Sequence, residues 1–233
     1  MDLLDGLATT RAIRRYTAEP VTESDLATIM WAATRAPSGS NRQPFRFIVL
    51  RDGPRALEAR RLLGEAAARM WGEKRRSDGY DAGSGADPSS PKARMARTMQ
   101  HYTEHLASAP VIVLATLVRY RDPNPFEGAS VYPACQNLLL AARAIGLGGV
   151  LTQIQGMVDA PLREALEVPE GVALHATITL GHPAGHHGPV RRRPLGELVF
   201  EDGWGSPATW AVDPEGTAFT QAGPPRPGPG PGG

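Results

Sequence analysis

Cysteine is almost missing from this chain: Cys135 stands alone among 233 residues. A single thiol closes no intramolecular disulfide, builds no cysteine-rich zinc site, and suits a reducing compartment. Long apolar runs are missing too. The longest, "VIVLATLV" (111–118), has eight residues, against the roughly 20 that span a bilayer. Excess charge is also lacking, since the formal net charge is +1, which leaves no broad field to steer nucleic acid or an anionic membrane. The opening "MDLLDGL" has no basic region, and Arg14-Arg15 runs into polar "TAEPVTESD" rather than an apolar stretch, so neither reads as an export signal. A soluble, cytoplasmic protein is expected, with no nucleic-acid and no membrane partner.

What is present is an ordinary globular composition, 41% hydrophobic and 21% charged, long enough for one sizeable core. One domain is expected over 1–212, with a disordered tail over 213–233 that is too rich in Pro and Gly to pack. No internal repeat is visible. Thr22 and Asp25 form a capping pair for a helix carrying Leu26, Ile29, Met30 and Ala33 at the 3.6 period, with Pro37 marking its end. "FRFIVL" (45–50) and "VIVLATLV" (111–118) read as strands. A helix is predicted from Ala56 to Trp71, a turn-rich surface loop or lid over 77–91, and a helix over 92–107 with Met95, Met99, Tyr102 and Leu106 on one face. Residues 134–145, "ACQNLLLAARAI", form an almost wholly apolar central helix closed by Gly146. Strands follow at 149–154 and 173–180, separated by a short helix with Asp159 at its N-cap. Helices alternating irregularly with few strands point to a mixed α/β or α+β domain with a helical shell.

Several chemistries fail on spacing. "GLGGVL" (146–151) has Leu151 where a dinucleotide fingerprint needs glycine, and it closes a helix and opens a strand, the reverse of that motif. His101 and His105 share a helix face, but no H-E-x-x-H surrounds them, and His182, His186 and His187 lie about eighty residues away in a Gly/Pro loop. No metal site is predicted, because three ligands are the usual minimum. No hydrolase triad or nucleophile elbow is visible.

Two arginine groups are more informative. Arg11, Arg14 and Arg15 lie in "TRAIRRY", and Arg191, Arg192 and Arg193 lie in "RRRPLGELV". The guanidinium fork binds phosphate bidentately and keeps its charge when partly desolvated. Between them stands "PSGSNRQP" (37–44). Ser38, Ser40, Asn41 and Gln43 both donate and accept hydrogen bonds, as the carbonyl and N–H edge of a flavin and its ribityl hydroxyls require. Gly39 permits close backbone approach, and Pro37 and Pro44 stiffen the loop.

The whole stretch from Thr10 to Leu50 resembles the opening of the nitroreductase family of FMN enzymes: a basic segment ending in an aromatic, a helix, then P-S-x-x-N-x-Q-P-[WF]-x-F and a strand. The resemblance runs from residue 8 to about 204, through "ACQNLLLAARAIGLGGVLTQ", "GHPA" and the Arg-x-Pro of "RRRPLGELV". It implies an α+β fold with a central mixed sheet surrounded by helices, and a homodimer holding FMN in two clefts at the subunit interface. It implies phosphate and ribityl contacts from Arg11, Ala12 and Arg14, although the family often shows Arg-x-Ser-x-Arg where this chain has Thr10, Ala12 and Arg14. Arg192 matches a late phosphate-binding arginine, with Arg191 and Arg193 one register step away on either side. Pro37, Ser38, Gly39, Ser40, Asn41 and Gln43 belong to the segment that lines the flavin from the neighbouring subunit. Leu151 and Thr152 fall where the family packs backbone beside the ring. The implied function is an FMN-dependent oxidoreductase that uses NAD(P)H as a transient co-substrate and reduces a small organic acceptor of the nitroaromatic or quinone type by ping-pong hydride transfer. No side chain is assigned a catalytic role. Two other classes fit the same residues: a flavin-sequestering module with little turnover, and a phosphate-binding interaction domain without flavin.

Overall fold

The computed structural model of the protein describes residues 1–214. These fall into two compact units, one built from Met1–Arg11 with the chain from His187 onward, the other from Ala12–His186. In the smaller unit Asp2 caps helix α1 (Leu3–Thr9) by accepting from the N–H groups of Leu4 and Asp5. The returning chain hydrogen-bonds to the end of that helix, Gly188 N–H to Thr9 O and Val190 N–H to Ala8 O. Further on, Leu195 N–H donates to the Asp213 carboxylate, and Phe200 bridges to Pro207. Large apolar groups stay at the surface of this unit: Leu3, Leu4, Leu198, Trp210, and Trp204 at 95% exposure. Of the tail predicted as disordered, 215–233 lies outside the described residues.

The larger unit begins with α2 (Glu23–Ala33), whose Thr22 and Asp25 form the reciprocal capping box read from the sequence. Strand β1 (Phe45–Leu50) follows, then α3 (Pro54–Ser77), α4 (Pro91–Glu104), β2 (Val111–Val118), α5 (Tyr132–Ala144), β3 (Gly148–Thr152), α6 (Asp159–Leu166) and β4 (Val172–Gly181). Helix α3 outlasts the predicted Trp71 because its last turn, bearing Lys74, Arg75 and Arg76, is a polar stretch with favourable charge for a helix C-terminus rather than an apolar stripe. Helix α4 buries Ala93, Ala96, Tyr102 and Thr103, whereas Met95, predicted on one face with Met99, Tyr102 and Leu106, is exposed. Val158, not Asp159, occupies the N-cap of α6, and Asp159 supplies acid in its first turn.

The four strands take the order β1-β2-β4-β3. The α+β class stands, but the sheet is antiparallel at every described pairing rather than mixed. Strands β2 and β3 do run the same way, as a helical crossover between them requires, but β4 inserts between them and pairs antiparallel to both. Alternation along β2 sends Val111, Val113, Ala115 and Leu117 to a core with Leu26 and Ile29 of α2 and Cys135, Leu138 and Ala142 of α5. Ile112 and Leu114 point the other way, to Ala59 and Leu63 of α3, Tyr102 of α4 and Leu162 of α6. Both faces are covered, which explains why seven of the eight β2 residues are buried. Gly146 ends α5 at φ +87°, a conformation that suits glycine.

Candidate functional site

Ala36, Pro44 and Phe45 are buried and anchor the ends of the "PSGSNRQP" loop, leaving the residues between them in contact with solvent. Inside it, Ser40 (φ 53°), Asn41 (φ 51°) and Gln43 (φ 49°) all take the left-handed conformation. Three such non-glycine residues in four positions carry a cost, and they persist only where surrounding bonds hold them. Ser38 Oγ accepts from Gln43 N–H at 2.8 Å, Asn41 N–H donates to Ser38 O at 2.9 Å, and Gln43 Nε2 donates to Asn41 Oδ1 at 3.1 Å. A neighbouring turn braces the loop, since Gly39 N–H donates to Ser130 Oγ at 3.3 Å. The turn over 127–130 is itself fixed by a half-buried charge cluster. Arg119 forks onto Glu127 at 2.9 and 3.1 Å, and His175 Nε2 lies 3.7 Å from the same carboxylate. Hydrogen bonds from Arg119 hold the Glu127 carboxyl below its usual range, while burial pushes the His175 imidazole down.

At the other edge of the sheet, the segment after Ala12 lies against β3: Ile13 N–H donates to Gly149 O at 3.0 Å. A Cβ on Gly149 would come within 2.5 Å of the Thr179 carbonyl oxygen, so only glycine allows that packing. The Tyr16 hydroxyl, 2.8 Å from Ile13 O and 2.7 Å from Thr179 Oγ1, pins the segment down. Tyr102 reaches the same Thr179 hydroxyl at 3.2 Å. Burial raises the pKa of both tyrosine hydroxyls and so keeps them protonated. Beside them sits Arg14, whose Nε is buried and finds no hydrogen-bond acceptor. A buried guanidinium nitrogen left without an acceptor fits a phosphate or another anion; Arg60 Nε is buried without an acceptor too, and what sets Arg14 apart is that it lines a cavity. Arg14, Arg15, Tyr16, Tyr102, His101 and His105 line a cavity of about 160 Å³ here.

Leu151 and Thr152 close β3, Thr152 Oγ1 donating to Thr177 O at 3.2 Å. They belong to the edge that Arg14 approaches. The 37–43 loop instead enters β1, on the opposite edge. Three strand spacings separate the two edges, about 14 Å. In the smaller unit Arg11 N–H faces His187 Nδ1 at 3.5 Å, and Arg191 and Arg192 are exposed, with Arg192 Nη1 on Arg191 O at 2.8 Å. Ser130, the Arg119–Glu127–His175 cluster and Tyr120 carry no local sequence signal that marks them as part of the site. Arg42 was inside the quoted motif, but only the fold shows its guanidinium 4.5 Å from the centre of the Tyr120 ring.

Residues 7–182 match the model of the nitroreductase family. The chain belongs to that family. It is 31% identical over 200 residues to an NADH dehydrogenase of Thermus thermophilus, covering 82% of this chain and 91% of that one. A 5,6-dimethylbenzimidazole synthase of Rhodospirillum rubrum is 28% identical over 188 residues, 76% of this chain and 80% of the relative. Among solved structures, a Desulfovibrio desulfuricans protein in complex with FMN is 32% identical with a TM-score of 0.63, covering 88% of this chain and 98% of its own. No helix among the described residues is long and apolar enough to cross a membrane.

Proposed function

We propose that the protein is an FMN-dependent oxidoreductase of the cytoplasm that draws hydride from NAD(P)H and reduces small organic acceptors of the nitroaromatic or quinone type. FMN, when bound, supplies the two-electron hydride chemistry, and reductant and acceptor use one cleft in turn. The observation that carries this reading is the unpaired, buried Nε of Arg14 on a segment pinned to β3, in a chain 32% identical to a protein solved with FMN. Arg14 offers charge to a phosphate, and Leu151 and Thr152 offer backbone beside it. Arg11, Ala12 and Arg191, Arg192 and Arg193 are further candidate contacts, each open to its own substitution. The 37–43 loop supplies hydroxyl and amide groups held ready by its left-handed residues, so little ordering is left to do on binding.

The roughly 14 Å between the loop's edge and the Leu151 edge favours a homodimer in which each flavin takes the loop from one subunit and Arg14 from the other. The exposed Trp204, Trp210, Leu198 and Leu4 give such a dimer apolar surface to bury. Titration of the purified protein with FMN and with riboflavin tests the phosphate assignment: FMN binds more tightly if the arginines act on a phosphate, and equal affinity contradicts it. Light scattering at micromolar concentration reports a dimer on this reading, and a stable monomer counts against it.

One observation favours a second reading. Ala12 stands where the family's serine is common, so a side-chain hydroxyl contact to the flavin is lost and only its backbone remains to offer one, and a flavin-sequestering module with little turnover follows if NAD(P)H oxidation is absent from fully loaded protein.

A further inference from the structure

The Tyr120 ring carries two guanidinium groups, Arg42 at 4.5 Å and Arg121 at 5.3 Å from its centre. Arg35 on Trp31 and Lys92 on Tyr80 are single pairs by comparison. All three residues of the stack are exposed. Among the described residues no carboxylate pairs with Arg42 or Arg121, while their neighbour Arg119 is committed to Glu127. Two like charges on one ring repel, and the stack relieves that only in part. An anion that reaches both guanidinium groups would offset the repulsion and gain charge-assisted contacts from each.

The position is as telling as the charge. Arg42 lies between Asn41 and Gln43, both left-handed, and is itself right-handed at φ −72°. The loop's costly conformation therefore fixes where Arg42 leaves the backbone. The Gly39–Ser130 bond ties this loop to the turn that follows Tyr120 and Arg121. Beside the stack, Phe126 is 73% exposed and shares a small cavity with Tyr120, Arg121 and Asn124.

Resting on the oxidoreductase reading above, we propose that Arg42, Tyr120 and Arg121 form a recognition station for a phosphate or carboxylate on the small molecule that enters the cleft. Two sources share that chemistry: the 2′-phosphate that distinguishes NADPH from NADH, and an acidic substituent on an aromatic acceptor. Phe126 and the Tyr120 edge then supply apolar surface for the ring attached to the anion.

Binding, not turnover, tests the station. Wild-type protein and the R42Q/R121Q double variant are titrated calorimetrically, with and without FMN, using two matched pairs of probes: 2′,5′-ADP against 5′-AMP, and 4-nitrobenzoate against 4-nitrobenzyl alcohol. Wild type is expected to bind the more anionic member of at least one pair tenfold or more tightly, and the variant to bring that pair within twofold in the FMN-free titrations, where any change in FMN affinity plays no part. The pair that responds identifies the source. Wild type that discriminates in neither pair overturns the proposal without reference to any variant, as does discrimination that survives in the double variant. Failure to hold FMN at all would instead sink the oxidoreductase reading, while the FMN-free titrations still judge the station.

Discussion

Gln43 donates its backbone N–H to Ser38 Oγ at 2.8 Å, closing the loop across left-handed Ser40 and Asn41 at a residue that is itself left-handed. That bond offsets part of the conformational cost of the loop. Ser38→Ala removes it, and a neutral hydrogen bond contributes about 0.5–1.5 kcal/mol. Chemical denaturation of the apoprotein is expected to show a loss in that range, and FMN affinity to fall as well, because the loop is no longer held ready. Unchanged stability and unchanged affinity together would remove the loop from the site.

Arg60 is a second, purely structural hub. Its side chain is buried and donates to the carbonyls of Leu50, Ala107, Ala109 and Pro110, and burial lowers its ionisation. Arg60→Ala strands several acceptors in the core, each costing about 1–3 kcal/mol when left unmet. The melting temperature should fall steeply, and a variant as stable as wild type would show that water replaces the guanidinium.

Acid sensitivity follows from the Arg119–Glu127–His175 cluster. His175 is depressed below its ordinary 6.5, so the unfolded chain takes up its proton first, and stability present above pH 6.5 is lost as pH falls toward the folded value. Glu127 is depressed below 4.5, and its share is lost only on further acidification through its folded value. Denaturation midpoints between pH 7 and 3 should decline in these two stages. His175→Gln should shrink the first, leaving the share of His101, whose imidazole burial also depresses, and should leave the second. A wild-type midpoint constant from pH 7 to 5 would contradict the His175 assignment.

Much of this architecture is legible in the sequence. The Thr22–Asp25 capping box, the period of Leu26, Ile29 and Ala33, and the apolar run of β2 are local signals, and they hold. The end of α3 was hidden because Lys74, Arg75 and Arg76 look the same in a loop as in a helix terminus. The antiparallel sheet was hidden because the insertion of β4 between β2 and β3 is a long-range choice with no local signature. The loop's hydroxyls and amides were visible. Its three left-handed residues were not, since Ser, Asn and Gln carry no obligation to that conformation. Arg42 on Tyr120 joins residues 78 positions apart by number, a pairing that only the fold creates.

The phosphate assignment makes its own demand. Arg14→Ala should weaken FMN retention by about 1.5–3 kcal/mol, the size of a hydrogen bond to a charged group, and leave riboflavin affinity nearly unchanged. Equilibrium dialysis of the two flavins measures the difference. An equal loss for both would place Arg14 at the ring or ribityl chain instead of the phosphate.

Flavin-dependent oxidoreductase activity is read out most directly by the visible spectrum of FMN-loaded protein without air. NADH or NADPH is expected to bleach the flavin absorbance, and a nitroaromatic or quinone then to restore it. A flavin that neither nucleotide bleaches would contradict that activity and leave sequestration as the function.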